Sequence, residues 1–313
     1  MIRRGEAIPM RIMDLRQLEY FLRVAQRRNI SIAAAELNVT QPTLTKSIKL
    51  LEKNLGVRLF DRQARGVELT DYGQTLLRHA EAVHVQISDA SGEIAALRSG
   101  TFGAVSVGAG PAWLRRHLPL AVAQTVARHP GIRIKVGGGF DEELFRSLRR
   151  GDFDFVVAEL PQPEDRRGLE IRPLTSDQLA VCCRAGHPLA GKRRIAMSDL
   201  LHYPWVLLPR TTRAQRRLTA LFAAQDLAPP QNIVETNSHA FLLNLLRNLD
   251  ALTFTVSKTV EIEEGAGLVM LNVPKLTVRR EAGIVTRKDA WLSPAAAHLI
   301  DNLTAICAAN PQN

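Results

Sequence analysis

Between Leu15 and Gly56 the chain sets out three short runs of apolar residues at helical spacing, each opened or closed by a capping residue, and this pattern constrains the fold more than any other. Leu15, Leu18, Phe21, Leu22 and Ala25, with Arg16, Glu19, Arg23 and Arg27 between them, predict an amphipathic helix over Leu15–Arg28 that Asn29 ends. Ser31 is placed to cap a second helix, Ile32–Leu37, whose Ala33, Ala34 and Ala35 allow close packing. After a tight turn at Asn38–Val39, Thr40 stands where an N-cap belongs and Pro42 fits the first turn. Leu44, Ile48, Leu51 and Leu55 then form the stripe of a third helix that Gly56 closes.

Helix, short helix, tight turn and third helix is the order of a helix-turn-helix, whose last helix enters the DNA major groove with its N-terminal residues at the base edges. Gln41, Thr43, Thr45 and Lys46 are expected to face outward there. Val57–Phe60 and Val67–Thr70 read as a two-stranded wing with Arg62 and Arg65 at its tip, placed to enter a minor groove or clamp phosphates. Residues 40–65 carry Lys46, Lys49, Lys53, Arg58, Arg62 and Arg65 against only Glu52 and Asp61. This local excess says more than the formal charge of +10, because residues 1–100 hold 15 Lys and Arg against 11 Asp and Glu, and the remainder 26 against 20. With aromatic content at 5%, an RNA surface of stacked rings is disfavoured. A long helix over Asp71–Leu97 follows. Its broad apolar face of Leu76, Leu77, Ala80, Val83, Val85, Ile87, Ile94 and Leu97 implies pairing with a second copy.

The block from Leu15 to Gly73 resembles the LysR-type transcriptional regulators. The resemblance is carried by the run T-Q-P-x-L-T-K-S-I-x-x-L-E-x-x-L-G-V-x-L-F-x-R beginning at Thr40. It implies DNA contacts from Gln41, Pro42, Thr43, Thr45 and Lys46, and from Arg62 and Arg65 in the wing, with Ser31 capping the second helix; Ser31, Thr40 and Lys49 are counted as candidate DNA contacts beside them. Lys46 stands where the family often has Arg. Lysine lacks the planar fork that reads guanine, so a phosphate contact is as well supported as base reading.

Beyond Gly100 short β runs alternate with helical stretches, the texture of parallel α/β units. Strands are expected at Ala104–Ala109, Ile132–Val136, Phe153–Ala158, Gln178–Cys183, Trp205–Leu208, Ile233–Thr236, Leu252–Val256, Leu268–Val273 and Val278–Thr286. Helices are expected at Pro111–Arg128, Phe140–Arg150, Arg213–Gln225, His239–Asn248 and Pro294–Ala308. Two such sets suggest two lobes, with the final strand and helix returning to the first. The resemblance implies the same architecture, a two-lobed periplasmic-binding-protein-like effector domain. The expected plan is a winged helix-turn-helix at 13–72, a linker and dimerisation helix at 71–100 and an effector domain at 101–310. Lobe I of that domain takes 101–175 with 277–310, and lobe II takes 176–276.

A ligand in such a cleft meets helix N-termini, which favour anions. Pro111, Ala112 and Trp113, then Arg210, Thr211, Thr212 and Arg213, then Asn237, Ser238 and His239 are the candidate contacts, and a carboxylate effector is expected from the hydroxyls and arginines among them. Gly137–Gly138–Gly139 reads as a strand end that permits close ligand approach.

Competing classes are weaker. Gly108–Ala109–Gly110 fails the dinucleotide fingerprint because Trp113 takes the place of its third glycine. The eight histidines are scattered, and neither H-E-x-x-H nor G-x-S-x-G occurs, so no catalytic residue, metal or cofactor is expected. Cys182, Cys183 and Cys307 form no framework and fit structural thiols in a reducing compartment. No segment reads as an export signal or a membrane span, residues 1–12 read as a frayed extension, and Met10 or Met13 are alternative starts. A cytoplasmic homo-oligomer is expected, dimer or tetramer, binding an imperfect palindrome in double-stranded DNA under a small-molecule effector, with RNA polymerase as a further partner of an activator. The alternatives are a solute-binding protein and a DNA-binding protein that needs no ligand.

Overall fold

The computed structural model describes residues 13–63, 66–99, 103–261 and 266–309. Two compact units emerge, the chain up to Ser91 together with Arg149–Gly151, and the remainder. The expected frayed extension and the starts at Met1 and Met10 lie outside the described residues.

In the first unit α1 (Leu15–Arg27), α2 (Ile30–Glu36) and α3 (Gln41–Leu55) enclose Phe21, Val24, Ala33, Leu44 and Leu51, all fully buried. Leu15, expected in the stripe, is exposed, and Tyr20 and Val24 are buried instead. The cap of α2 is also corrected. Asn29 accepts the backbone N–H groups of Ser31 and Ile32, so Ser31 lies inside the helix. Arg28, left-handed at φ 50°, turns the chain sharply enough for Asn29 to start the new helix at once. Thr40 caps α3 by accepting the Thr43 N–H, and Gly56 ends it with φ 71°.

The wing strands β1 (Phe60–Gln63) and β2 (Gly66–Leu69) pair antiparallel. The first begins at Phe60 rather than Val57, because Glu52 of α3 accepts the N–H groups of both Leu59 and Phe60 and holds the preceding residues against the helix end. Arg65 falls outside the described residues, while Arg62 lies in β1. From Asp71 to Ser99 runs α4, in which Ala80 and Val85 are buried whereas Tyr72, Val83, Ile87 and Ile94 are exposed.

The second unit contains one seven-stranded sheet and a two-stranded one. Parallel β3 (Ala104–Ala109), β4 (Arg133–Gly138) and β5 (Phe155–Glu159) are joined by α5 (Pro111–Arg115), α6 (His117–Arg128) and α7 (Asp141–Arg149). The single helix expected over Pro111–Arg128 is broken at Arg116, whose φ of −122° and ψ of −74° are not helical. The parallel expectation holds only in part. β11 (Val278–Arg287) is antiparallel both to β5 and to β6 (Leu169–Arg184), whose first half lies beyond the expected strand.

The far half of β6 pairs antiparallel with β9 (Thr253–Val256) and β10 (Leu268–Met270), while β7 (Trp205–Leu207) and β8 (Asn232–Glu235) pair parallel beside them. α8 (Arg213–Ala223) and α9 (His239–Asn248) cover this region, and α10 (Pro294–Ala309) returns to pack on α6 and β3. Among the described residues two large core regions result, beside two smaller ones. Val107, Phe155, Ile284 and Leu299 belong to one, and Val181, Trp205, Phe222 and Phe254 to the other. Buried Cys182, Cys183 and Cys307 have thiols pushed up to about 12, 11 and 11 by desolvation, which leaves them unreactive. Among the described residues no helix is long and apolar enough to cross a membrane.

The β6–β11 pairing carries a bulge between Ala282 and Gly283. A Cβ at Gly283 would sit 2.2 Å from the Arg172 carbonyl oxygen, a backbone atom unable to yield without moving the strand. Gly283→Ala is therefore expected to destabilise the protein by about 1–3 kcal/mol, the usual cost of overpacking, read as a lowered denaturation midpoint. A midpoint equal to that of the parent would mean that the bulge relaxes freely.

Candidate nucleic-acid interface and candidate ligand cavity

On α3 the stripe Leu44, Ile48 and Leu51 faces inward, leaving Gln41, Pro42, Thr43, Lys46 and Lys49 exposed on the opposite side, with Thr45 half-buried between. The Thr40 hydroxyl serves the helix start and hydrogen-bonds the Thr43 hydroxyl at 2.8 Å. The Ser31 hydroxyl donates to Gln41 Oε1 at 3.2 Å, which orients the Gln41 amide and leaves its NH2 group as an outward donor. Glu52, the one acid on α3, is turned to the wing backbone, so it does little to offset the exposed lysines.

In the second unit the C-terminal ends of parallel β3 and β5 and the N-termini of α5, α7, α8 and α9 converge on one cavity, with an empty volume of about 600 Å3, open mouth included. A crevice at the carboxyl ends of parallel strands is where α/β sheets bind ligands. Trp113, Phe140, Leu179 and Phe254 form apolar walls, and Arg115, Asp141, Glu159, Thr255, His239 and Arg280 bring polar groups.

Of the sequence-predicted contacts, Pro111, Ala112, Trp113, Thr212 and His239 line this cavity. Arg210, Thr211, Asn237 and Ser238 are exposed outside it. Thr212 and Ser238 act as N-caps, accepting the N–H groups of Gln215 and Phe241. Arg213 is buried and committed, since it donates to the Leu160 carbonyl at 2.8 Å and lies 3.5 Å from Glu159. The glycine run does not approach the cavity either. A Cβ at Gly137 would meet the Phe153 ring at 2.6 Å, so that glycine makes room for packing.

Sequence reading missed the charged centre. Glu159, 4% exposed at the end of β5, takes Arg217 at 2.6 Å, Arg280 at 3.3 Å and Arg213. Arg280 also grips both oxygens of Asp177. A clue existed in the polar end of the all-apolar strand Phe155–Glu159 and in the i, i+4 pair Arg213 and Arg217, but no local rule joins them. His239 is the unsatisfied member. Neither of its buried ring nitrogens has a hydrogen-bond partner among the described residues, and desolvation followed by the Arg115 charge pushes its pKa down to about 3, keeping it neutral.

Desolvation and then the nearby Glu159 charge push Asp141 up to about 6, against the partial relief of Arg213, Arg280 and Arg217. The folded state therefore holds this proton above the unfolded value of 3.8, and stability falls as pH rises from about 4 to about 6. Asp141→Asn is expected to be more stable than the parent at pH 7 and to lose that advantage below pH 4. Urea titrations at both pH values check this, and equal stability at neutral pH would contradict it.

Residues 15–74 match the bacterial regulatory helix-turn-helix protein, lysR family, and residues 98–308 match the LysR substrate binding domain. The chain is 32% identical over 290 residues to the HTH-type transcriptional regulator GbpR of Azospirillum brasilense, covering 91% of this chain and 84% of that one. It is 33% identical over 288 residues to the SDS degradation transcriptional activation protein of a Pseudomonas strain, covering 90% and 93%. In fold it is similar to full-length CbnR, crystallised with its target DNA, at a TM-score of 0.58 and 22% identity, covering 94% of this chain and 100% of that one. The chain thus belongs to the LysR family of bacterial helix-turn-helix transcriptional regulators.

Proposed function

We propose that this regulator inserts the N-terminal half of α3 into the major groove, with Gln41, Pro42, Thr43 and Thr45 toward base edges, Lys46 and Lys49 toward phosphates and the Arg62–Arg65 wing alongside. The exposed, uncompensated basic edge of α3 carries this reading. Tyr72, Val83, Ile87 and Ile94 fall on one face of α4 and favour pairing of two chains, hence a dimer or tetramer on an imperfect palindrome in the cytoplasm, with RNA polymerase as a further partner where it activates. Gln41→Ala is expected to weaken operator binding by about 1–3 kcal/mol with the salt dependence unchanged. Lys46→Ala and Lys49→Ala should each lower the slope of log K against log salt by about 1. Fluorescence anisotropy across a salt series reads both, and an unchanged affinity in all three variants would remove α3 from the interface.

The effector in this reading is a small organic acid with an apolar body. His239 carries the inference, because a buried neutral imidazole without a partner is costly until a ligand supplies one. The carboxylate accepts from His239 beside the Arg115 charge, and the body lies against Trp113 and Phe254. This differs from the sequence expectation, in which Arg210, Arg213 and the capping hydroxyls met the anion. A thermal-shift screen of aromatic and aliphatic carboxylates is expected to give a saturable rise in Tm that His239→Ala removes without loss of DNA binding. A panel with no saturable rise, or a rise that survives in His239→Ala, would exclude this placement.

A further inference from the structure

We propose that the second unit holds another ligand site, a cavity of about 440 Å3 that takes a compact oxyanion, either a phosphate or a carboxylate group. It shares Ala112, Trp113, Arg115 and Val256 with the effector cavity but is otherwise built from different residues: Arg116, His117, Thr175, Asp177, Lys258 and Thr259.

Three cationic side chains, Arg115, Arg116 and Lys258, face one lining acid, Asp177, whose two oxygens are already held by Arg280. Arg116 has a 3.4 Å contact with Glu261 at the exposed rim, and Lys258 has no ion pair among the described residues. Among the described residues Lys258 is therefore a cation of the cavity without a counter-charge. His117 is the second, independent sign. It is 8% exposed, lines the cavity, and touches the Trp113 ring at 5.5 Å, yet its imidazole makes no hydrogen bond to another described residue. Thr259, 2% exposed, adds a buried hydroxyl that accepts from Arg115 at 3.4 Å.

Burial first, and then the charges of Arg116 and Lys258, push the His117 pKa below its usual value. An empty cavity thus presents a neutral imidazole amid cations. An oxyanion with several acceptor oxygens would accept from the imidazole N–H, Lys258 and Arg116 together, converting mutual repulsion into charge-assisted hydrogen bonds. The wall shared with the effector cavity makes Trp113 and Arg115 common to both ligands, so occupancy of one site bears on the other.

The test uses the full-length chain without DNA. Inorganic phosphate and, in parallel, succinate are titrated against chloride at matched ionic strength, following Tm and the imidazole NMR signal of His117, assigned with His117→Asn. A saturable rise in Tm with a moving His117 signal is expected from at least one anion, and the stronger binder distinguishes phosphate from carboxylate. Lys258→Gln and Arg116→Gln should each weaken the apparent Kd by about tenfold or more, the usual effect of losing one charged hydrogen bond. His239→Ala should keep this response while losing that of the effector, so the two sites can fail separately. An anion response unchanged in Lys258→Gln and Arg116→Gln, with the His117 signal stationary, would place the anion on basic α3 and overturn the proposal. So would the absence of any saturable response.

Discussion

The Glu159 carboxylate is the interaction on which the second unit is organised. A carboxylate buried at the end of an apolar strand is affordable only with partners, and here they come from elsewhere in the chain: Arg213 and Arg217 from α8, Arg280 from β11. β5 belongs to one core region and α8 packs against the other, so this single acid joins the two where the cavity lies between them. The same network disposes of the arginines. Three guanidiniums bound to Glu159 are not free to bind a ligand as isolated cations, and Asp141, whose carboxyl is pushed up by desolvation and then by Glu159, completes a wall whose charge is largely internally compensated. Among the described residues, His239 is left with both ring nitrogens buried and without a hydrogen-bond partner. The chemistry of the cavity is therefore set as much by what the network has consumed as by what lines it.

The DNA-binding unit applies the same economy to its one acid on α3. Glu52 accepts two wing N–H groups and so fixes the angle between the recognition helix and the wing. A second tie runs from Gly66, where a Cβ would lie 2.3 Å from the Arg28 carbonyl oxygen that accepts the Val67 N–H at 2.9 Å. At φ 135° only glycine fits there without strain. Helix, turn and wing are thus held by backbone contacts, and the exposed edge of α3 remains free of structural duty apart from the Ser31–Gln41 and Thr40–Thr43 hydrogen bonds.

Elements whose limits are written in neighbouring residues could be read from the sequence. Thr40, Pro42 and Gly56 delimit α3 because capping acts over three or four positions, and α9 begins and ends where Ser238 and Asn248 place it. Asn29 and Ser31 show the limit of that reading, since both are good caps and the sharp turn at Arg28 decides between them. The first half of β6 was not legible because residues 169–177 are polar, Pro-containing and exposed in alternation, and become a strand only by pairing with β11 over a hundred positions away. The ligand cavity was half legible for the same reason. Helix starts such as Pro111 and His239 announce themselves locally, whereas Arg280 meets Glu159 across 121 positions of sequence and nothing near either residue predicts it.

The break at Arg116 follows from this long-range architecture and gives it a consequence. Across the break Trp113 and His117, four positions apart, still have their rings side by side and both line the second cavity. With the helix interrupted, Trp113 stands between two cavities, Arg115 and Ala112 line both, and His117 begins a new helix at the floor of the second. A ligand that prefers one arrangement of this short segment shifts the population of that arrangement by its differential affinity and by no more. The segment is anchored on one side by Trp113 in the core with Val107 and Phe155, and on the other by Arg115 and Arg116 reaching Thr259 and Glu261, which follow β9 of the second core region. Five residues of helix therefore connect two cores and line two cavities.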